Sequence, residues 1–293
     1  NGVGASATCL TSDLFEVTSK HYNSKQQQTF TFIDGALTVK KSKKSPFKGA
    51  SGVAVKVTLA SEVYHDNKID PDLLRKRIYD LAFNNPGLVF RFNGEMIVSK
   101  KGLFELALKV NPSSMLLGDS HFVVEGMGPQ NKKYKAQIDI HVSVGINLQS
   151  DERERFISFV NSTPTFDGGF HQDKVKRIFI NEVKIKLDKE CRKEKIQLID
   201  NDILSGLTFV MGITMPNPRF ESQTKRKLVR DKDLEKCIQD FIDQNLPKFF
   251  RNNKQFLDNV LERARSRHKF LELKEATNLG KKSKRVKVEK LLD

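Results

Sequence analysis

An apolar run that ends at two prolines constrains this chain more than any other feature. Residues 207–215 are almost entirely apolar and have the length of a buried β-strand. Pro216 and Pro218 end the strand, because proline has no backbone N–H to donate to a neighbouring strand. The chain then leaves the sheet as a stiff polar segment that carries Gln223 and Lys225. An amide and an ammonium on such a segment suit an anion such as phosphate, although most exposed lysines are only solvated.

Short strands, hairpin turns and helices alternate along the chain and predict an α+β protein. Asp-Gly at 34–35 and Asn-Gly at 93–94 are two-residue hairpin signals. Apolar residues alternate over 136–146, as in a long strand with one buried face, and recur at helical spacing over 171–186. Towards the C-terminus the pattern is helical, and Pro247 is expected to bend or end the first of these helices. Further strands are predicted at residues 15–18, 29–33, 36–39, 53–57, 88–92 and 156–160, and further helices at residues 5–10, 74–83 and 200–205.

Three connections are predicted to be irregular. Residues 40–48 are rich in lysine and serine, and residues 161–169 end in two glycines. Residues 280–287 are strongly basic and are expected to be extended; a linker is favoured here over a nuclear localisation signal. Asp200 or Asn201 is expected to cap the short helix that follows the central one, because both side chains accept hydrogen bonds from a first helical turn.

The composition indicates a globular chain with a basic surface. Of its 293 residues, 38% are hydrophobic and 30% are charged. No apolar run approaches the roughly 20 residues that cross a membrane. The net charge of +15 favours a polyanionic partner, although lysines that merely solubilise the surface explain it about as well.

Cysteine and histidine are not placed for metal binding or for catalysis. Cys9, Cys191 and Cys237 are far apart and are interpreted as reduced thiols in a cytoplasmic protein. The six histidines are scattered without ligand spacing, so no metal site is expected within the chain. Thr163 and His171 lie near the double glycine and are interpreted as parts of a loop rather than as catalytic groups.

Residues 1–6, the glycine box, read Asn-Gly-Val-Gly-Ala-Ser and precede a predicted helix. Glycines let backbone amides approach an anion, and the N-terminal end of a helix attracts negative charge. Taken alone, this short motif is better explained as a tight turn. Because it lies at the very start of a chain that does not begin with Met, we expect that further sequence precedes it in the full protein.

Five segments together resemble the ATPase subunits of type IIA DNA topoisomerases, such as the gyrase B protein. Residues 216–228, Pro-x-Pro-x-Phe-Glu-x-Gln-Thr-Lys-x-Lys-Leu, resemble the lysine loop of these subunits and carry that name here. The glycine box resembles the last glycine box of the GHKL ATPase fold. Residues 159–171 resemble the Phe-Val-Asn…Gly-Gly-x-His stretch of the transducer domain. Residues 264–267 resemble the basic run after the transducer, and residues 290–293 resemble the segment ahead of a TOPRIM domain.

The resemblance covers nearly the whole chain and implies its domain organisation. Residues 1–110 would be the C-terminal part of a GHKL α/β sandwich. Residues 111–230 would be the core of a transducer domain with a ribosomal-protein-like βαβ topology. Residues 231–293 would be the C-terminal helices of the transducer and a linker toward the TOPRIM domain. The short connections and high lysine content are most similar to the T-even-like phage enzymes.

The resemblance also implies an ATP-hydrolysing topoisomerase that couples ATP to gate closure and duplex strand passage. Gln223 and Lys225 would reach the γ-phosphate as catalytic residues, with Lys225 neutralising charge in the transition state. The general-base glutamate, the Mg²⁺ ligand and the adenine-binding aspartate would precede residue 1, so this chain alone would be inactive and monomeric. Val53 replaces a threonine common in the family, which puts the adenine contacts there in doubt. The implied ATP-binding residues are Asn1, Gly2, Val3, Gly4, Ala5, Ser6, Gln223 and Lys225.

The implied partners are double-stranded DNA, a second copy of the same protein, the TOPRIM domain and the subunit or domain with the catalytic tyrosine. The candidates for contacts to DNA phosphates lie on a helix face predicted to be exposed: Arg263, Arg265, Arg267 and Lys269. The alternative for that face is simple solvation. Two other interpretations stay open at this point. One is a MutL-type mismatch-repair ATPase, and the other is a non-enzymatic nucleic-acid-binding module, against which the glycine box argues.

Overall fold

The computed structural model of the chain describes residues 3–38, 43–66, 68–110, 115–127, 135–148 and 154–283, and it describes their side chains except at residues 37, 115–127, 135–148 and 279–283. The chain divides into two compact units, Asn1–Leu74 and Arg75–Asp293. In the described part of the chain, no helix has the length and apolar character needed to cross a membrane.

The first unit is an antiparallel sheet with one helix. The hairpin predicted at Asp34-Gly35 is confirmed: both residues have positive φ, 50° and 74°, as a two-residue turn between twisted strands requires. The elements of this unit are α1 (Val3–Leu10), β1 (Ser12–His21), β2 (Gln26–Ile33), β3 (Ala36–Leu37), β4 (Ser45–Pro46) and β5 (Gly52–Leu59). The sheet has the strand order β3-β2-β1-β5, and β4 also pairs with β2.

The second unit is built on a mixed five-stranded sheet that helices cover. Helix α2 (Pro71–Asn84) crosses the boundary between the two units. The following elements are β6 (Phe90–Phe92), β7 (Glu95–Ile97), α3 (Leu103–Val110), β8 (Met115–Met127), β9 (Lys135–Leu148), β10 (Arg155–Val160), β11 (Thr163–Pro164), α4 (Phe170–Glu194), α5 (Asp200–Leu204), β12 (Leu207–Thr214), α6 (Lys232–Asn252) and α7 (Lys254–Ser283). The strand order of the sheet is β11-β10-β12-β9-β8, in which only β10 and β12 run parallel among the described strands. A separate hairpin joins β6 to β7 through the predicted Asn93-Gly94 turn.

The core of the second unit centres on Phe179 of α4, which is 1% exposed. Its ring lies 5.4 Å from the ring of Phe209 on β12, measured between centroids, and 5.7 Å from that of Phe256 on α7. The rings of Phe249 and Phe250 on α6 lie about as close, at 6.0 and 6.1 Å. Burial of large aromatic rings dominates the stability of such a core, so β12 and the helices α4, α6 and α7 form one packed body.

Several predicted elements need correction. Helix α4 continues to Glu194, past the predicted end at residue 186, and Lys195 ends it with a left-handed φ of 56°. The N-cap of α5 is Ile199 rather than Asp200 or Asn201, and the Asp202 carboxylate accepts its backbone N–H at 3.0 Å.

Three further differences concern prolines and connections. Pro247 lies inside α6, so it does not end that helix. The predicted loops at 40–48 and 161–169 contain the short strands β4 and β11. Residues 280–283 are the last turn of α7 rather than extended chain, while residues 284–287 lie outside the described residues. The prediction of one buried face on β9 concerns side chains that are also outside the described part.

Candidate functional site

The lysine loop follows the end of β12, where the side chain of Asn161 makes the backbone hydrogen bonds that a neighbouring strand would otherwise make. The Asn161 amide Nδ2 donates to the Met215 carbonyl at 2.8 Å, and the Met215 N–H donates to Asn161 Oδ1 at 2.9 Å. The backbone N–H of Asn161 also donates to the carbonyl of Ile213 at 2.8 Å. Asn161 has a φ of 47°, a left-handed conformation that asparagine tolerates better than most residues. The last backbone groups of the strand are therefore satisfied before Pro216 directs the chain away from the sheet.

The loop then folds back on itself as a narrow hairpin. The N–H of Glu221 donates to the carbonyl of Lys227 at 3.0 Å, and the N–H of Val229 donates to that of Arg219 at 2.9 Å. At the tip, the N–H of Lys225 donates to the Ser222 carbonyl at 3.1 Å, and Lys225 has a φ of 57°. These bonds close the tip, so Gln223 and Lys225 are presented at a turn of defined shape rather than on an open segment.

Three consecutive cations at the tip differ in their pairing. Arg226 forms a two-point salt bridge with Asp167, at 2.7 and 2.8 Å, and Lys227 pairs with Glu221 at 3.2 Å. Lys225 is exposed and has neither a salt bridge nor a side-chain hydrogen bond to any described residue. The same holds for the exposed Gln223 amide. Of these three cations at the tip, Lys225 is therefore the one that can bind an anionic ligand without breaking a described contact.

The base of the hairpin rests on residues 165–170, the double-glycine turn. The Leu228 N–H donates to the Gly168 carbonyl at 3.3 Å, and the Phe170 N–H donates to the Leu228 carbonyl at 3.2 Å. Gly169 has a φ of 132°, and a Cβ there would lie 2.6 Å from both the N and the O of Leu228. Only glycine permits this approach, which explains the second glycine of the motif.

A buried polar cluster lies under the double-glycine turn. His171 is fully buried, and its Nε2 lies 3.1 Å from Ser158 Oγ and 3.3 Å from Thr165 Oγ1. Ser158 and Thr165 are bonded to each other, and Gln172 Nε2 donates to Ser158 Oγ at 2.6 Å. Burial lowers the pKa of His171 to about 4, so the imidazole is neutral at physiological pH. His171 thus lies in the first turn of α4 rather than in the loop, and its non-catalytic role stays a prediction.

The glycine box is described only from Val3, since Asn1 and Gly2 lie outside the described residues. Val3, Gly4, Ala5 and Ser6 form the exposed first turn of α1. Among the described residues, no atom outside the adjacent backbone of α1 lies within 4 Å of the place where a Cβ on Gly4 would be. The N–H groups of a first helical turn have no intrahelical acceptor, so an open first turn suits a bound anion. The glycine box and the lysine loop belong to different compact units, and a joint site formed by the two stays a prediction.

Two of the four arginine and lysine residues predicted to face solvent on α7 do not. Arg267 binds Asp202 of α5, with Nε 2.9 Å from Oδ1 and Nη2 2.9 Å from Oδ2, and the Asp202 side chain is only 3% exposed. Arg263 Nη1 donates to the Ser205 carbonyl at 2.6 Å, and burial lowers the pKa of Arg263. The predicted exposure is wrong for both, because they hold α5 and the turn after it against α7.

The other two residues of this set are exposed. Arg265 is paired with Glu194 of α4 through Nε at 2.7 Å and with Glu262 at 3.4 Å. Lys269 has no side-chain partner in the described part of the chain. Among the described residues, no group of three or more His, Cys, Asp or Glu side chains is placed to hold a metal ion.

Comparison with known families decides the relationship. The protein-family model of DNA gyrase B matches residues 102–278, which is more than half of the chain. The chain belongs to the DNA gyrase B family. The match includes the double-glycine turn, the lysine loop and most of α7, so the resemblance drawn from these motifs is confirmed. The interpretation as a MutL-type protein finds no support in these comparisons.

Individual gyrase B relatives are distant. The DNA gyrase B protein of Treponema denticola is 26% identical over 228 residues, which cover 73% of this chain and 34% of the relative. The DNA topoisomerase 4 B protein of Mycoplasma genitalium is 26% identical over 309 aligned positions, which cover 100% of this chain and 46% of the relative. The chain thus spans between about a third and a half of the length of these relatives.

Solved structures of a gyrase B ATPase domain and of a topoisomerase IV ATP-binding domain share the fold of this chain. The 43K ATPase domain of Thermus thermophilus gyrase B, in complex with an aminocoumarin, has a TM-score of 0.68 at 21% identity and matches 94% of this chain and 75% of that one. The topoisomerase IV ATP-binding domain of Francisella tularensis has a TM-score of 0.67 at 19% identity, with 91% and 73% covered. The predicted α+β fold class is therefore confirmed, and the predicted division of the chain into domains stays a prediction.

Proposed function

We propose that this chain is the ATPase and transducer portion of an ATP-dependent type IIA DNA topoisomerase, which couples ATP binding and hydrolysis to gate closure and passage of duplex DNA. Membership of the gyrase B family supports this proposal, as do relatives that are the B proteins of DNA gyrase and of DNA topoisomerase 4. The domain organisation proposed with it is the end of the ATPase domain at 1–110, the transducer core at 111–230, and helices with a linker at 231–293.

The observation that carries the proposal is the unpaired ammonium of Lys225. Lys225 stands at the closed tip of the lysine loop, beside two cations that are already paired with carboxylates. A preorganised charge is most effective where negative charge develops during a reaction, and no carboxylate needs to be displaced before Lys225 can act. We therefore assign Lys225 to the γ-phosphate of ATP, with the Gln223 amide as a second donor to the same phosphate.

The remaining contacts to ATP are assigned to the glycine box. Backbone N–H groups of residues 1–6 would bind the triphosphate, and the exposed first turn of α1 supports this for Val3, Gly4, Ala5 and Ser6. When bound, Mg²⁺ would neutralise phosphate charge, and its ligand is expected outside this chain. The roles of the lysine loop are to orient the γ-phosphate and to stabilise charge on it, and neither role requires Lys225 to lose its proton.

The proposed partners follow from the same function. They are a second copy of the same protein, a TOPRIM domain, the subunit or domain with the catalytic tyrosine, and duplex DNA, in the cytoplasm of a bacterium or of a phage-infected cell. As contacts to DNA phosphates, two of the four residues first considered are now favoured over the other two. Lys269 is exposed without a described partner and Arg265 is exposed but paired, whereas Arg263 and Arg267 would have to leave internal contacts.

The proposal is tested with Lys225→Ala in the full-length protein. Loss of one charge-assisted contact in the transition state should reduce turnover by about 10²–10³-fold and leave ATP binding largely intact. The matched control is Lys227→Ala, which removes an adjacent lysine that is paired with Glu221. The control should hydrolyse ATP within about twofold of the unmodified rate, on the order expected for a surface contact. Equal rates for Lys225→Ala and the unmodified enzyme would refute the assignment.

A further inference from the structure

The lysine loop has one charged attachment to the rest of its unit, apart from its own hairpin bonds, in the described part of the chain. The Asp167 carboxylate accepts hydrogen bonds from Arg226 Nε at 2.7 Å and Nη2 at 2.8 Å. This hydrogen bond from Arg226 lowers the pKa of Asp167, so the carboxylate stays charged at neutral pH. The Arg226 guanidinium also lies 5.5 Å from the centre of the Phe166 ring. A two-point contact fixes direction as well as distance, which a single-point lysine pair does not.

Backbone hydrogen bonds next to this salt bridge also attach the lysine loop to the double-glycine turn. The Asp167 N–H donates to the Arg226 carbonyl at 3.1 Å, and Leu228 exchanges bonds with Gly168 and Phe170. Asp167 therefore holds Arg226 through both its backbone and its side chain. Because Lys225 is covalently next to Arg226, any rotation of Arg226 about the loop axis would also turn the Lys225 ammonium.

The double-glycine turn is itself fixed to the core. The Thr165 N–H donates to the Ser158 carbonyl at 2.9 Å, and the Gly168 N–H donates to the Thr165 carbonyl at 3.0 Å. Thr165 is 3% exposed and belongs to the buried cluster around His171. A rigid base of this kind can define the position of what is attached to it, which an exposed salt bridge between two mobile loops cannot do.

We propose that Asp167 is a positioning residue for Lys225. Through Arg226, it sets the direction in which the lysine loop presents its ammonium to the γ-phosphate. This inference rests on the function proposed for Lys225. The Asp167 and Arg226 side chains are each 51% exposed, and a pair this exposed contributes little to folding stability. The effect of Asp167 should therefore appear in turnover rather than in stability.

The test compares three variants of the full-length protein. Asp167→Asn removes the charge that holds Arg226, and we expect kcat to fall about tenfold while the KM for ATP changes less than about twofold, because small misplacements of a catalytic group are costly. Glu221→Gln is the matched control, since it breaks the other ion pair of the loop at similar exposure. Its kcat should stay within about twofold of the unmodified value. Exchange of the two charges, Asp167→Arg with Arg226→Asp, should restore most of the lost rate.

Amide hydrogen exchange at Leu228 provides a readout that does not depend on ATP. Its N–H bonds to Gly168, so Asp167→Asn should speed its exchange about tenfold if the attachment loosens. Unchanged kcat in Asp167→Asn, or a loss that the charge exchange does not restore, would overturn the positioning role. If Lys225→Ala lowers kcat and Asp167→Asn does not, only this inference fails. If Lys225→Ala hydrolyses ATP normally, the proposed function fails and the positioning role fails with it, even where exchange at Leu228 is faster.

Discussion

Two basic segments of the second unit, the lysine loop and the N-terminal half of α7, use their charges in opposite ways. In the lysine loop, Lys225 faces solvent, and the hairpin around it is held by backbone bonds and half-exposed ion pairs. In α7, Arg263 and Arg267 turn inward and bind groups on and next to α5. The function of a basic segment therefore depends on the partners of its cations, and the partners of Arg226, Arg263 and Arg267 are remote in the sequence.

The energetics of the two segments differ for the same reason. The Asp202 side chain is 3% exposed and must be paired, because a buried carboxylate without a counter-charge is strongly unfavourable. The ion pairs of the lysine loop are about half exposed, so solvent screens them and either partner can be changed at little cost to folding. Stability should therefore be sensitive to Arg267 of α7, which pairs with the buried Asp202, and turnover should be sensitive to the lysine loop.

The largest effect on stability is expected for Arg267→Met. Its side chain would still pack, but Asp202 would lose its counter-charge inside the protein, and the free energy of unfolding should fall by about 3 kcal/mol. Equilibrium urea unfolding measures this change. The matched control is Arg192→Met, whose pair with Asp188 is on the surface with side chains 80% and 52% exposed, and which should change stability by less than about 0.5 kcal/mol. Similar losses of stability in the two variants would show that the buried pair of Arg267 and Asp202 is no more important for folding than a surface pair.

The next largest effect is expected where the backbone of the lysine loop meets Gly169. A Cβ in Gly169→Ala would lie 2.6 Å from Leu228 N and O, in a conformation essentially limited to glycine, and unfolding should become easier by about 2–3 kcal/mol. In Gly168→Ala, the Cβ meets mainly the flexible end of Gln172, at 2.8 Å, so a loss of only about 1 kcal/mol is expected. Thermal or urea unfolding of both variants measures the difference. If Gly169→Ala were as stable as Gly168→Ala, the backbone of Leu228 in the lysine loop would not pack closely against Gly169.

The pH dependence of stability should report the buried cluster beneath the lysine loop. Burial lowers the pKa of His171 from 6.5 to about 4, so the unfolded chain binds the proton more readily than the folded one. The contribution of neutral His171 is complete above pH 6.5 and is lost as the pH falls toward 4. Between about pH 7.5 and 5, the free energy of unfolding should fall by about 2 kcal/mol through this group.

The control for this prediction is His171→Gln, in which the difference between the free energies of unfolding at the two pH values should be smaller by the same amount, about 2 kcal/mol. Carboxylates whose pKa is lowered by salt bridges, such as Asp167 and Glu194, contribute to stability at pH values above their unfolded pKa and lose that contribution at lower pH than this window. An unmodified protein whose pH dependence equals that of His171→Gln would show that His171 is not buried as a neutral group.

The smallest effect is expected for Arg263→Met. Arg263 gains one hydrogen bond to the Ser205 carbonyl, but its buried Nε and Nη2 have no partner among the described residues. Methionine would lose that bond and also remove two unsatisfied donors, so stability should change by less than about 1 kcal/mol. Urea unfolding of Arg263→Met and Arg267→Met under the same conditions measures the difference in their stability. If Arg263→Met lost as much stability as Arg267→Met, the buried carboxylate partner of Arg267 could not be the reason that the two arginines differ.

The elements with local signals could be predicted from the sequence. The strand before the lysine loop was expected at 207–215 and is Leu207–Thr214, because an apolar run and two prolines define it without help from the rest of the chain. The hairpin at Asp34-Gly35 has the same local character. By contrast, Pro247 lies within α6, where burial of Phe241, Phe249 and Phe250 outweighs its unfavourable helix propensity.

The arrangement of the candidate site could be predicted only in part. The exposed tip with Gln223 and Lys225 follows from two prolines and a polar run. The partners of Arg226 and Arg267 could not be predicted, since Asp167 is 59 residues from Arg226 and Asp202 is 65 residues from Arg267. No periodicity in the sequence reports contacts over such separations. The exposure expected for Arg263 and Arg267 was wrong for this reason.

The role of Lys225 in stabilising the transferred phosphoryl group is tested most directly by the affinity of full-length Lys225→Ala for ADP with and without vanadate. Vanadate beside ADP imitates the transition state, so the variant should bind ADP normally and the ADP–vanadate pair about 10²-fold more weakly than the unmodified protein does. Lys227→Ala should bind both as the unmodified protein does, because Lys227 is already paired with Glu221. Equal affinity of Lys225→Ala and the unmodified protein for the ADP–vanadate pair would show that Lys225 does not stabilise the transferred phosphoryl group.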